Sequence, residues 1–247
     1  MDIAILETGR PPGDLATHHG GYDAMVRRLL GDGHAYRSFA VYDGKLPATP
    51  TDFSAYVITG SSAGVHDDLP WIAPLATFLQ NARGVAHLVG ICFGHQIMAQ
   101  AFGGAVAKAE RGWGIGLHEY EVLSREPWMD DAASIAVPAS HQDQVTALPP
   151  GARVIASSGF TPFAALAYDD YPAISFQCHP EFDPAFAIDL INGREAEIGG
   201  PTRRQALDSL GRPNDTARLG RWINDFLAPA TKRASPATTL VEAAPIR

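Results

Sequence analysis

The chain is predicted to fold as an α/β protein with a mainly parallel central sheet, helices on both faces, and a smaller region of mixed or antiparallel strands. Three observations carry that prediction. Up to residue 103, short apolar runs alternate with longer amphipathic ones, the pattern of parallel strands joined by covering helices. After Gly103 the apolar runs follow one another through short links, which suits antiparallel or mixed pairing. The length of 247 residues and a hydrophobic content of 46% supply a substantial core.

Each element has its own signal. "DIAIL" (2–6) reads as a buried strand. "GYDAMVRRLLGDG" (21–33) reads as a helix, because Met25, Val26, Leu29 and Leu30 share a face and Gly31 and Gly33 stop it. "AYRSFAVYD" (35–43) and "AYVITG" (55–60) are the second and third strands. "PWIAPLATFLQNA" (70–82) is helical, with Pro70 suited to its first turn. "AHLVGI" (86–91) is a fourth strand, and "GHQIMAQAFG" (94–103) a helix closed by glycines. The later strands are predicted over 117–123, 134–140, 152–158, 163–168 and 173–178, followed by helices over 184–198 and 215–228. The stretch 229–247 has no hydrophobic period and is read as a flexible tail, which leaves one domain over 1–228.

Composition narrows the function. The net charge is −8 and the 19 Lys and Arg form no basic block, so no nucleic-acid footprint is visible. No apolar run approaches a membrane span, and "MDIAIL" lacks the features of a signal peptide. Two cysteines cannot build a disulfide framework, which points to a reducing, cytoplasmic setting. His18, His19, His66, His87 and His118 show no ligand spacing, so neither a metal nor another cofactor is expected. His18 and His19 follow the first strand, either at the mouth of a site or as a loop pair without a role.

Two short strings carry chemistry. In "GICFGHQ" (90–96), Cys92 falls where a buried strand turns into a helix, and sites of open α/β sheets lie beyond such strand ends. Gly90 and Gly94 flank it at minus and plus two, the nucleophile-elbow pattern with Cys in place of Ser. Glycines would relieve a strained turn and leave room for substrate. The following helix N-terminus favours a thiolate, and the Phe93 N–H is placed to donate to an oxyanion. The alternative is a structural cysteine in a glycine-rich turn. In "FQCHPEF" (176–182), His179 and Glu181 would project from the same side of an extended chain held by Pro180. A carboxylate beside an imidazole fixes its tautomer and stabilises the imidazolium. Any one His-x-Glu pair is a common surface accident; its coincidence with the elbow at strand ends of one sheet is the discriminating feature. Cys178 should face the other side of its strand, in the core.

Taken together and in this order, "GICFGHQ" and "FQCHPEF" resemble the triad-type, or class I, glutamine amidotransferases, whose fold is flavodoxin-like. The resemblance spans roughly residues 1 to 195. It implies Cys92 as nucleophile, His179 as base and Glu181 as its orienter. It also matches "VITGSSAGV" (57–65) to the loop that supplies a second oxyanion donor. The family's Gly-Gly-Pro-like string is replaced here by Gly60-Ser61-Ser62, so the donor becomes the Ser61 N–H, with Gly60 allowing the turn. Read alone, Gly60 could open a phosphate loop, but the Lys-Ser/Thr ending is missing. Gln96 occupies the position that helps hold glutamine. "SHQDQV" (140–145), with His141, Gln142 and Asp143, resembles the loop that contacts the substrate's α-amino and α-carboxylate ends; a solvated turn is the plainer alternative.

The "FGHQ", "GWGIGLHEYEV" (112–122) and "SHQDQV" strings are most similar to the GMP-synthase-type glutaminase branch, which includes free-standing members that cut γ-glutamyl peptides. The implied activity is release of ammonia or an amine from glutamine or a γ-glutamyl compound through a Cys thioester. The chain would act alone or with a synthetase or acceptor-domain partner, for which Trp222 and Phe226 offer contact residues if they do not pack on their own domain. An esterase of the α/β-hydrolase type is a rival, but there the carboxylate precedes the histidine, and here Glu181 follows His179.

Overall fold

The computed structural model describes residues 1–229; the expected tail beyond Pro229 lies outside the described residues. Strands β1 (Asp2–Glu7), β2 (Ala35–Ala40), β3 (Ala55–Ile58), β4 (His87–Ile91) and β11 (Ala173–Phe176) pair in parallel, in the order β2-β1-β3-β4-β11. The same sheet continues through antiparallel pairs to β10 (Ala165–Tyr168), β9 (Ala152–Ser157), β6 (Gly114–Val122) and β7 (Ser134–His141). A separate antiparallel pair joins β5 (Ala105–Lys108) to β8 (Asp143–Ala147). The predicted α/β class and its change of texture after Gly103 therefore hold.

Strand alternation divides the core between the two faces of the sheet. Ile3, Ile5, Val57, Val89 and Ile91 point to one face, where they meet α2 (Tyr22–Leu30) and α7 (Thr216–Leu227) through Val26, Leu30, Leu219 and Trp222. Ala4, Leu6, Tyr56, Ile58 and Leu88 point to the other, against α3 (Ile72–Ala82) and α4 (Phe93–Ala101) through Leu75, Leu79, Ile97 and Met98. Trp222 and Phe226 are buried here, packed edge-on against Trp128, so they are core residues and not a partner surface.

Several boundaries and elements differ from expectation. The second strand ends at Ala40 and passes into a short 3₁₀ turn (Val41–Asp43) closed by Gly44 at φ 77°. His18 and His19 belong to a short helix, α1 (Leu15–His19), rather than a loop. β5 and β8 were not foreseen, nor was α6 (Gly200–Ser209), which follows α5 (Pro184–Gly193). α6 buries only Ala206, so it carries no apolar stripe. It docks because β6 has no side chain at Gly116, where φ is +94° and a Cβ would stand 2.6 Å from Ser209 Oγ. Among the described residues no helix is long and apolar enough to cross a membrane.

Gly94 fixes how closely α4 approaches the sheet. Its N–H donates to the Thr59 carbonyl at 3.1 Å, and a Cβ would collide with the Ile58 backbone of β3. Gly94→Ala is expected to cost about 2 kcal/mol by overpacking, read as a lower denaturation midpoint at unchanged slope. An unaltered midpoint would mean that the helix has room to retreat.

Candidate active site

The carboxyl ends of β3, β4 and β11 lie side by side at one edge of the sheet, and the chain leaves them through Gly60, Cys92 and His179. Cys92 caps α4 with φ 52° and ψ −101° and is the only non-glycine at positive φ among the described residues. Its N–H is held by the Phe176 carbonyl of β11 at 2.8 Å, and its own carbonyl accepts from Gln96 N at 3.0 Å. The strain of the turn therefore sits on the cysteine itself. Gly90 and Gly94 serve close packing: a Cβ at Gly90 would press on Gly94 O and Met98 Sδ, and one at Gly94 on β3. Neither faces the cleft, which corrects the expectation that they make room for substrate.

His179 reaches the same point from the other segment. β11 ends at Phe176, and residues 179–182 form a turn in which Phe182 N donates to the His179 carbonyl at 3.3 Å. The pair is thus juxtaposed by a turn and not by extended chain. His179 Nδ1 donates to Glu181 Oε1 at 2.8 Å, leaving Nε2 for the thiol side. The imidazole lies flat on Phe182, with centroids 3.9 Å apart and planes at 9°. Asp183 then caps α5 by accepting from Phe186 N at 2.8 Å, with Pro184 in the first turn. Burial pulls the imidazole's pKa down, but the charges of Cys92 and then Glu181 outweigh it and raise it to about 10.

Gly60 gauges how tightly these parts converge. A Cβ on it would stand 2.8 Å from His179 Cε1 and 3.7 Å from Cys92 Cβ. Gly60 is not at positive φ, so close approach and not turn geometry demands glycine here. Its carbonyl accepts from the Thr8 and Thr59 hydroxyls at 3.0 and 3.2 Å. The Ser61 hydroxyl is spent on the loop, donating to Thr8 O at 2.7 Å and accepting from Ala63 N at 3.1 Å. Among the described residues the N–H groups of Ser61 and Phe93 donate to nothing.

Cys92 opens on a cleft of about 220 Å³ that Ser61, Gln96, His141, Gln142 and Asp143 also line. Gln96 Nε2 donates to the Asp143 carbonyl at 2.7 Å and to Gln177 Oε1 at 3.2 Å, and Gln177 Nε2 lies 3.7 Å from Cys92 Sγ. Gln177 escaped the sequence reading, although a polar residue ending an apolar strand beside "HPE" was its signal. His141 is not part of a solvated turn. It is buried, donates from Nδ1 to the Asp143 carbonyl at 3.1 Å, and packs edge-on against Phe160. Burial, reinforced by His118, lowers its pKa to about 3, so it is neutral. Asp143 begins β8, so "SHQDQV" is the junction of two strands.

Sequence reasoning also missed Arg194, Lys108 and Asp67, all of which line the cleft with Trp113. His19 is bound to Asp189 at 2.8 Å and does not line it. Cys178 is buried, and that burial, followed by Glu181, pushes its thiol pKa up. Among the described residues no cluster of His, Cys, Asp and Glu is arranged to hold a metal.

A family model for glutamine amidotransferase class-I matches residues 52–187, more than half of the chain and the span that holds Gly60, Cys92, His179 and Glu181. The chain belongs to this family. It is 32% identical to gamma-glutamyl peptidase 4 of Arabidopsis thaliana, over 76% of this chain and 79% of that one. It is 33% identical to a glutamine-hydrolysing GMP synthase of Thermomicrobium roseum, over 65% of this chain but only 29% of that protein. A solved glutamine amidotransferase of Thermotoga maritima matches the fold with a TM-score of 0.72 at 16% identity, over 92% of this chain and 98% of that one.

Proposed function

We propose that this class I glutamine amidotransferase-like chain hydrolyses the side-chain amide of glutamine or of a γ-glutamyl compound, with Cys92 as nucleophile. The reading rests above all on the convergence at Gly60, where His179 and Cys92 both stand within contact of one point. The Cys92 thiolate attacks the δ-carbonyl carbon. The free N–H groups of Phe93 and Ser61 take the oxyanion, each contributing about 3 kcal/mol as such donors do elsewhere. His179, held by Glu181, protonates the leaving nitrogen as the C–N bond breaks, and a γ-glutamyl thioester remains. His179 then accepts a proton from water, which cleaves the thioester to glutamate and regenerates the thiolate. Gln96 and Asp143 hold the glutamyl end, with His141 and Gln142 shaping that wall.

Residues 1–228 are taken as the unit that acts, in a reducing, cytoplasmic setting that suits two unpaired thiols. The relatives named gamma-glutamyl peptidase favour action alone; the match to part of a GMP synthase favours a partner that takes up the ammonia. Purified chain that releases glutamate from glutamine or γ-glutamyl amides supports the hydrolase reading. Activity that emerges only with a synthetase partner supports the second, and inertness toward every such amide in both settings overturns both.

Glu181→Gln tests the pair. Glu181 is one of the charges that raise His179, so its loss lowers the imidazole pKa and the imidazolium is lost at lower pH. The alkaline limb of kcat/KM is expected to move to lower pH, with activity reduced about 100-fold. An unmoved limb would separate Glu181 from the proton transfer.

A further inference from the structure

Four charged side chains line the cleft: Asp67, Lys108, Asp143 and Arg194. Three of them group together. A Cβ at Gly64 would stand 3.0 Å from Asp143 Oδ2 and 3.4 Å from Asp67 Oδ1, so both carboxylates flank that glycine. Lys108 is the β5 residue directly opposite Asp143 in β8. A γ-glutamyl head carries one ammonium and one carboxylate, and this group offers anions for the first and a cation for the second.

Arg194 is then in excess. It enters from the C-terminal end of α5, with its guanidinium carbon 4.9 Å from the centre of the Trp113 ring and Nη1 donating to Ser140 Oγ at 2.9 Å. Among the described residues it has no carboxylate within ion-pair distance, and neither Nε nor Nη2 donates to an acceptor. A half-buried guanidinium seated on an indole and pinned by a hydroxyl is oriented before any ligand arrives, and its free edge suits a carboxylate. With the glutamyl head matched by Asp67, Asp143 and Lys108, the charge left in the cleft beside Cys92 is Arg194, and the part of a γ-glutamyl substrate left to be matched is its leaving group.

We propose that Arg194, set by Trp113 and Ser140, is a carboxylate-binding subsite for the leaving group, which makes γ-glutamyl amino acids or peptides with a free carboxylate the favoured substrate class over glutamine. The proposal rests on the hydrolase reading above. In the reaction it assigns, the γ-glutamyl C–N bond breaks, the amino acid leaves with the proton from His179, and water supplies the new carboxylate oxygen of glutamate.

The test compares γ-glutamylglycine with γ-glutamylglycinamide, which differ only in that carboxylate. The ratio of kcat/KM for the acid over the amide is measured in wild type, Arg194→Gln and Arg194→Lys, so that any loss of folded protein cancels within each variant. The ratio is expected to exceed one in wild type, to fall about tenfold in Arg194→Gln, and to recover in part in Arg194→Lys, which keeps the charge without the fork. An unchanged ratio overturns the subsite while leaving the hydrolase reading intact. Equal loss on both substrates also overturns it, because Arg194 would then serve the glutamyl head. Wild type inert toward both substrates and toward glutamine would instead sink the hydrolase reading, and the subsite with it.

Discussion

Cys92→Ala is expected to reduce glutamate release by about 10⁴-fold or more while the fold persists, since loss of a covalent nucleophile removes the reaction path and not merely its acceleration. Residual turnover near wild type would end the nucleophile assignment. A companion variant reads the backbone. Cys92 is held at φ 52°, ψ −101°, a conformation that burdens any residue with a Cβ. Alanine retains that burden and glycine does not, so Cys92→Gly, equally inactive, is expected to be about 1 kcal/mol more stable than Cys92→Ala. Thermal melts of the two variants decide the matter. An alanine variant as stable as the glycine variant would show that the turn relaxes once the sulfur is gone. The expected order would mean that the protein maintains a strained turn at this position, a cost that makes sense only if the side chain at its apex has a task.

That strain was only half legible in the sequence. The flanking glycines marked the turn, but the conformation they suggested for themselves belongs to Cys92, and their own role is to let α4 lie against β3 and β4. The parallel half of the sheet was readable because strands buried on both faces, such as Ala55–Ile58, are continuous apolar runs between glycine-marked turns. α6 was not, because only Ala206 is buried and the helix is placed by the missing side chain of Gly116, far away in sequence. β5 and β8 were missed for a related reason: four- and five-residue strands with one buried residue each carry little hydrophobic pattern. The "GICFGHQ" and "HPE" strings could be found because turn geometry and acid–base pairing each demand particular residues at short spacing. Arg194 sits in "NGREAE", an ordinary helix end; only the tertiary position of Trp113 and Ser140 distinguishes it from other surface arginines.

The second large effect is expected from one added methyl group. Gly60→Ala places a Cβ 2.8 Å from His179 Cε1, so one partner must yield by more than half an ångström to reach ordinary contact. The imidazole is poorly able to yield, because it is stacked on Phe182 at 3.9 Å and tethered to Glu181 at 2.8 Å. The loop is equally constrained, since the Gly60 carbonyl is held by the hydroxyls of Thr8 and Thr59. Displacement falls on the relation between His179, Cys92 and the adjoining Ser61 N–H, where misplacement of about 1 Å costs on the order of 100-fold in rate. Gly60→Ala is therefore expected to lower kcat/KM by about 100-fold or more, with a loss of stability of about 1–3 kcal/mol from overpacking. Activity near wild type in a folded Gly60→Ala protein would show that the imidazole works from some other position, and the convergence on which the proposed chemistry stands would no longer support it.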